Sequence, residues 1–201
     1  MPRSKEQFQK IKDARENQIL ESALYFFALR GYDGVSGDDI TKNVGCSHGL
    51  LYHYFKSKEE LFDCLLQRVI KVKYLEIIKD VDIKQKPKFF VQDLLDAYIN
   101  ALNSPRTDYA CTIYLVLNLH LQKKVLPKIC INNKNNSIFS CLFQAIEEGK
   151  KTGEFCDNDT KEMTIAILSC LKGLSYTRIM LGYKNSVLTK SEILMRMIVK
   201  K

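Results

Sequence analysis

The sequence predicts an all-α protein of about nine helices, and three observations carry that expectation. Four Pro and nine Gly among 201 residues leave little material for the tight turns of a β fold, and long stretches hold neither. Along those stretches apolar residues recur at helical spacing. Capping patterns stand ahead of several of them, at Ser4/Gln7, Ser57/Glu60 and Thr189/Glu192. The expected architecture is a small three-helix domain over residues 1–57 and a larger helical domain over residues 58–201.

The first helix is expected to begin near residue 5. Its core face is Ile19, Leu20, Ala23, Leu24 and Phe27, and it stops at Gly31, a natural residue for the left-handed turn after a helix. Ser36 caps a short second helix, Asp38 and Asp39 suit its positive end, and Gly45 ends it. A third helix starts after Ser47 and runs through Tyr54. The box at Ser57/Glu60 opens a fourth, to near Lys79. Beyond a polar connector around Pro87, helical patterns cover Phe89–Leu102, Tyr109–Leu121, Ile129–Lys150, Lys161–Leu181 and Ser191–Val199. Breaks fall at Pro105, Pro127, Gly149/Gly153 and Gly182, and nothing reads as a strand.

Composition narrows the class. With 46% hydrophobic and 27% charged residues, the chain reads as globular. No stretch of about eighteen uncharged apolar residues suggests a membrane span, and Met1–Arg15 is too polar for a secretory signal. Seven Cys without a Cys-x-x-Cys pair read as reduced thiols, so a cytoplasmic location is expected. The net charge of +8 lies outside the first sixty residues, where nine Lys/Arg balance nine Asp/Glu. Within that balanced segment, Arg3, Lys5, Lys10, Lys12 and Arg15 face only Glu6 and Asp13 in the first fifteen residues. Global charge is therefore a weak argument for nucleic acid, and the motif has to carry it.

Residues 36–55 have the layout of a helix-turn-helix. Ile40 and Val44 would face the core from one helix, and Leu51 and Phe55 from the next. Gly45 takes the turn, where a side chain would be forced to positive φ. A plain helical hairpin has the same apolar faces, so spacing alone leaves both readings open. In a helix-turn-helix, the start of the second helix enters the major groove. Base contacts then fall to Ser47, His48, Gly49 and Leu50, with Ser47 serving equally well as the helix cap. Tyr52 and His53 lie on the flanks, where their polar tips reach phosphates, and Lys56 adds charge nearby. Ser36, at a helix N-terminus, offers a phosphate seat with the amides that follow it.

The run LLYHYFKSKEELF, residues 50–62, resembles the signature of the TetR/AcrR family of repressors. The upstream frame from Ile19 to Ser47 and the segment EEGKKTGEF at residues 147–155 resemble that family too. The resemblance implies a two-fold dimer on a palindromic operator, released when a small molecule enters the C-terminal domain. It also implies that Lys58 contacts a phosphate. Four positions depart from the common pattern: Gly37 where a polar contact residue such as Thr is frequent, Thr41 for Ala, Cys46 for Val and Leu50 for Thr. Gly37 remains a candidate DNA-facing position, at which a phosphate or base contact is lost.

In the larger domain, Tyr98, Tyr109, Tyr114 and Tyr176 lie in helices corresponding to those that line the family's ligand pockets. Phe143 and His120 join them as candidates for an apolar or amphipathic effector. Aromatics on helical faces also serve as plain core. The last two helices resemble the family's dimer-forming pair, and Ile165, Leu168, Leu171, Leu174, Ile193, Leu194 and Met197 are the expected interface. The expected partners are thus double-stranded DNA, a small effector and a second copy of the chain, with no membrane. No cofactor is called for, three His give no metal cluster, and no phosphate loop or nucleophile elbow appears, so an enzyme is not expected. Two other classes compete: a helical adaptor with a degenerate helix-turn-helix, and a thiol sensor, for which Cys130 near Lys128 and Lys134 is the best placed residue.

Overall fold

The computed structural model describes residues 5–70, 83–104, 110–115, 138–187 and 189–200. Apart from one isolated β-bridge, the regular structure among them is helical. The helices are α1 (Lys5–Arg30), α2 (Gly37–Val44), α3 (His48–Tyr54), α4 (Lys58–Ile70), α5 (Pro87–Leu102), α6 (Ile138–Lys151), α7 (Thr160–Asn185) and α8 (Ser191–Met195). A further helical stretch covers 110–115. The chain forms two compact units, Met1–Ile70 and Lys71–Lys201. The division falls after α4 rather than before it. Pro105, Tyr109, His120, Pro127, Cys130 and the tail of the fourth helix beyond Ile70 lie outside the described residues.

In the first unit, Ile19, Ala23, Leu24 and Phe27 of α1, Ile40 of α2, Leu51 and Phe55, and Leu61, Phe62 and Leu65 of α4 are buried, with α1 packed on α2 and α4 and α2 on α3. Phe27 meets Phe62 edge-on at 5.0 Å between centroids. Each such buried side chain contributes roughly 1.5–3 kcal/mol relative to exposure. Thr41 is buried where Val44 was expected to be, and Val44 is only half-buried. The Thr41 hydroxyl donates to the Asp38 carbonyl at 3.2 Å, so the polar atom is satisfied within its own helix. Gly45 adopts φ 67°, closing the turn to α3 with a bond from its N–H to the Thr41 carbonyl. The first three turns of α1 are solvent-exposed, including Phe8 and Ile11.

The second unit is built round α5, whose Phe90, Val91, Leu94, Leu95, Tyr98 and Leu102 are almost wholly buried. Helices α6, α7 and α8 pack on it. Its C-terminus is held by the buried Arg178 of α7. The guanidinium Nε donates to the Leu102 carbonyl at 2.9 Å and Nη2 to the Ser104 carbonyl at 2.7 Å, where the helix dipole favours a cation. Phe155 seats on Gly149, where a Cβ would stand 2.1 Å from its ring. It also pairs with Val199 in an antiparallel bridge.

Two local expectations fail. Thr189 and Glu192 form no capping box, because α8 begins with Lys190 as a cap that makes no side-chain bond. Its start is held instead by long-range contacts: Ser191 donates to Asp96 of α5 and accepts from Gln92. The last helix also stops at Met195 rather than Val199, since residues 196–198 turn tightly and Val199 bridges to Phe155. Helix α7 is long and apolar enough to cross a membrane, with an 18-residue window of mean hydropathy 1.2, although no such stretch was expected. One face of it is core to this unit, as Ile167, Leu171, Ser175 and Arg178 show.

Candidate nucleic-acid interface

Helix α3 is held in place from behind and open in front. Leu51 and Phe55 are 3% exposed and anchor it in the first unit's core. The Ser47 hydroxyl accepts from the Leu50 amide at 3.2 Å, so Ser47 is the cap of α3. His48, Gly49, Tyr52 and His53 are exposed and Leu50 is half-buried. A Cβ at Gly49 would meet nothing within 4 Å, so backbone and solvent meet directly there.

His48 does not project freely. Its Nδ1 lies 2.7 Å from Asp38 Oδ1, and its ring stacks on Tyr52 at 4.8 Å with 27° between planes. Gly37 makes this possible. A Cβ there would come within 3.3 Å of His48 Cε1 and 3.4 Å of the Tyr52 hydroxyl. A side chain at Gly37 would crowd the His48–Tyr52 pair, and Asp38 is a member of the face that motif reading missed. Spacing gives no signal for it, because the contact crosses the turn between α2 and α3.

Ser36 caps α2 as expected, and Asp39 completes the cap. Ser36 and Asp39 form a reciprocal capping box: the Asp39 amide donates to Ser36 Oγ at 3.2 Å, and the Ser36 amide donates to Asp39 Oδ2 at 2.9 Å. The Ser36 hydroxyl also donates to that carboxylate at 2.6 Å. These bonds, followed by the Arg30 guanidinium at 3.0 Å, hold the Asp39 carboxyl down at about 2. The Asp39 carboxylate thus takes both the amide and the hydroxyl of Ser36.

Lys58 has partners within its own unit. Its ammonium donates to the carbonyls of Tyr32 and Val35, each at 2.9 Å, and sits 4.3 Å from the Tyr32 ring centroid. Two of its three donors thus bind the loop after α1, leaving one for a phosphate. Tyr32 in turn donates to Glu59 at 2.7 Å; burial, then this bond, pushes its phenol up to about 12. Lys56 remains exposed. The Ser57/Glu60 box is half formed. Ser57 accepts from the Glu60 amide at 3.1 Å, while the Glu60 carboxylate takes the amide of Lys56.

Residues 19–65 match the family described as bacterial regulatory proteins, tetR family. YhgD of Bacillus subtilis, an uncharacterized HTH-type transcriptional regulator, is 27% identical over 146 residues, 71% of this chain and 74% of that protein. The HTH-type transcriptional repressor KstR2 of Mycobacterium tuberculosis is 33% identical over 90 residues, 45% of each chain. The solved KstR2 structure superposes with a TM-score of 0.64 at 22% identity, covering 93% of this chain and 96% of that one. AibR, solved with isovaleryl coenzyme A and operator DNA, gives a TM-score of 0.63 at 17% identity over 90% and 94% of the two chains. The structural likenesses are of fold. The chain is similar to TetR-family transcriptional regulators, the family match itself spanning residues 19–65.

The second unit separates the expected ligand residues. Tyr98 is fully buried in α5. Tyr114 and Tyr176 come together, with ring centroids 5.6 Å apart and the Lys172 ammonium 5.5 Å from the Tyr114 ring. Tyr176 is 44% exposed. Phe143 is half-buried and stacks on Phe139 at 6.2 Å. Tyr109 and His120 lie outside the described residues.

The expected dimer residues divide into two sets. Leu168, Leu171 and Leu194 are buried in the protomer's own core, so they are not free to meet a partner. Ile165, Ile193 and Met197 are exposed and Leu174 is half-buried. Tyr176 and Met180 continue the Ile165 side of α7 at helical spacing, and both are exposed. Apolar residues recur right round α7, so sequence alone could not assign its core side.

Among the described residues no three His, Cys, Asp or Glu are grouped to hold a metal ion. The six described cysteines are free. Burial pushes the Cys141 thiol up; burial and then Glu60, Glu16 and Asp63 do the same at Cys64. Neither has the electropositive surroundings of a reactive thiol.

Proposed function

We propose that this protein is a TetR-family repressor that binds a palindromic operator as a homodimer and leaves it when a small molecule enters the second unit. The observation that carries the proposal is α3: capped by Ser47, anchored by Leu51 and Phe55, and presenting His48, Gly49, Leu50, Tyr52 and His53 outward. Ser47 to Leu50 read bases. Tyr52, His53 and Lys56 meet phosphates, Lys58 with its one remaining donor, and the α2 start at Ser36 and Gly37 lies alongside. Repressor action has support in the resemblance to KstR2, itself a named repressor.

Homodimerisation runs through the exposed side of α7 and α8: Ile165, Tyr176, Met180, Ile193 and Met197, with Leu174 at the edge. An apolar face of this extent is stabilised when a second copy covers it. The effector is apolar or amphipathic, and the Tyr114–Tyr176 pair beside Lys172 supplies aromatic wall and positive charge. AibR, which shares the fold, was solved with an acyl coenzyme A. Work on chromosomal DNA places the protein in the cytoplasm.

The deciding experiment is a salt titration of the full-length protein on the promoter DNA beside its own gene. Nanomolar affinity that falls steeply with log salt is expected, each neutralised phosphate adding about −0.9 to the slope. A folded protein that ignores this DNA at low salt overturns the reading in favour of a helical adaptor.

A further inference from the structure

We propose that Asp38 sets the tautomer of His48, and that His48 thereby selects an adenine or cytosine through the exocyclic amino group in the major groove. The inference rests on the DNA-binding reading above and deepens it, naming what one residue of α3 recognises and what positions that residue. An ionised carboxylate can only accept, so a ring nitrogen 2.7 Å from Asp38 Oδ1 has to carry the hydrogen. In the neutral imidazole the proton therefore sits on Nδ1, and Nε2 is left as a lone-pair acceptor. Nε2 makes no hydrogen bond among the described residues.

The ring is also fixed in angle. Tyr52 stacks on one face, and Gly37 leaves room at Cε1, which a Cβ there would crowd at 3.3 Å. With its tautomer and plane both set, His48 is an acceptor aimed from the first turn of α3. That is the part of a recognition helix that meets base edges. In the major groove the donors are the N6 amino group of adenine and the N4 amino group of cytosine; guanine and thymine present acceptors there. An Asp38-bound His48 matches the first pair and repels the second. Asp38 is a positioning residue: it acts through His48, and its own carboxylate, exposed beside the expected phosphate path, weakens attraction to any duplex.

The test begins with full-length wild-type protein enriching binding sites from randomised duplex at about pH 8, above the ordinary imidazole range. The selected half-sites should share an adenine or cytosine at one symmetry-related position. Replacing that base by an analogue without the exocyclic amino group should cost about tenfold in affinity per half-site, the scale of one good hydrogen bond. The same replacement should cost His48→Ala nothing. Asp38→Ala should lose most of the discrimination, while Asp38→Asn should keep it, because an amide oxygen still accepts from Nδ1–H. Both Asp38 variants should bind non-specific DNA more tightly, which separates the charge effect from the tautomer effect. Nitrogen NMR should find Nδ1–H at His48 in the wild type and in Asp38→Asn, and its loss in Asp38→Ala. Enrichment by the wild type with unchanged base preference in His48→Ala overturns this inference alone. A wild-type protein that enriches no duplex overturns the DNA-binding reading and takes this inference with it.

Discussion

Helices α3 and α7 each turn one side to the core and one to solvent, but their outer sides are made in different ways. On α3 the outward residues are small, polar or aromatic, and the key ring is fixed by a carboxylate and a stacking partner. On α7 the outward residues include Ile165, Tyr176 and Met180, large, apolar and open. A face prepared for a polar, directional partner is preorganised in the free protein, since a misaimed donor or acceptor forfeits its bond. A face prepared for an apolar partner needs only shape and area, because the hydrophobic effect has no direction. The contrast predicts that substitutions on α3 change which partner is chosen, whereas those on the outer side of α7 change whether one is held at all.

The largest effect tests the two sides of α7 against each other. Leu171→Glu places an unpaired carboxylate in the core and should destabilise the second unit by about 3–5 kcal/mol, read as a fall in thermal midpoint. Met180→Glu should leave that midpoint nearly unchanged and convert dimer to monomer in sedimentation. If Leu171→Glu instead gave a folded monomer, the assignment of α7's core side would be reversed.

On the α3 side, Lys58→Met separates structure from DNA contact. Losing the bonds to the Tyr32 and Val35 carbonyls should lower stability by about 2 kcal/mol in the absence of DNA, and denaturant unfolding would measure it. A Lys58→Met protein of wild-type stability but with a smaller salt slope would restore Lys58 to a purely phosphate-binding role. Ser36→Ala removes the cap of α2 and should cost about 1 kcal/mol by the same measurement.

The smallest effect is a pH dependence. The Asp39 carboxyl lies at about 2, below its ordinary 3.8. The depressed value means that its stabilising contribution is complete above about pH 4 and fades as pH falls toward 2. The gap in thermal midpoint between wild type and Asp39→Asn should therefore be constant near neutrality and shrink below pH 4. A gap that persisted at pH 2 would show that Asp39 acts by something other than its charge.

What could be read beforehand follows the range of the interactions. Ser36, Gly45 and Ser47 were assigned as caps or turns, and the structure places them so, because capping involves residues three or four apart. The bonds of Lys58 to the Tyr32 and Val35 carbonyls are not legible in the motif, because those partners lie 26 and 23 residues away. Leu168, Leu171 and Leu194 were placed at the interface because apolar residues at helical spacing look alike whether they face core or partner. The His48 ring that would crowd a Cβ at Gly37 belongs to a residue eleven positions along the chain, beyond the reach of helical spacing.

The ties that complete the second unit have a consequence in time. Gln92 bonds to Ser191 across 99 residues, and Arg178 reaches back 76 residues to Leu102. At synthesis rates of about 5–20 residues per second, α5 leaves the ribosome on the order of 5–20 s before α8 can meet it. During that wait Phe90, Leu94 and Tyr98 have no α8 to cover them, while every segment of the first unit has already been made. The nascent chain therefore carries a finished helix-turn-helix unit ahead of an apolar, unfinished one, and a chaperone that binds exposed apolar segments would find its substrate at α5.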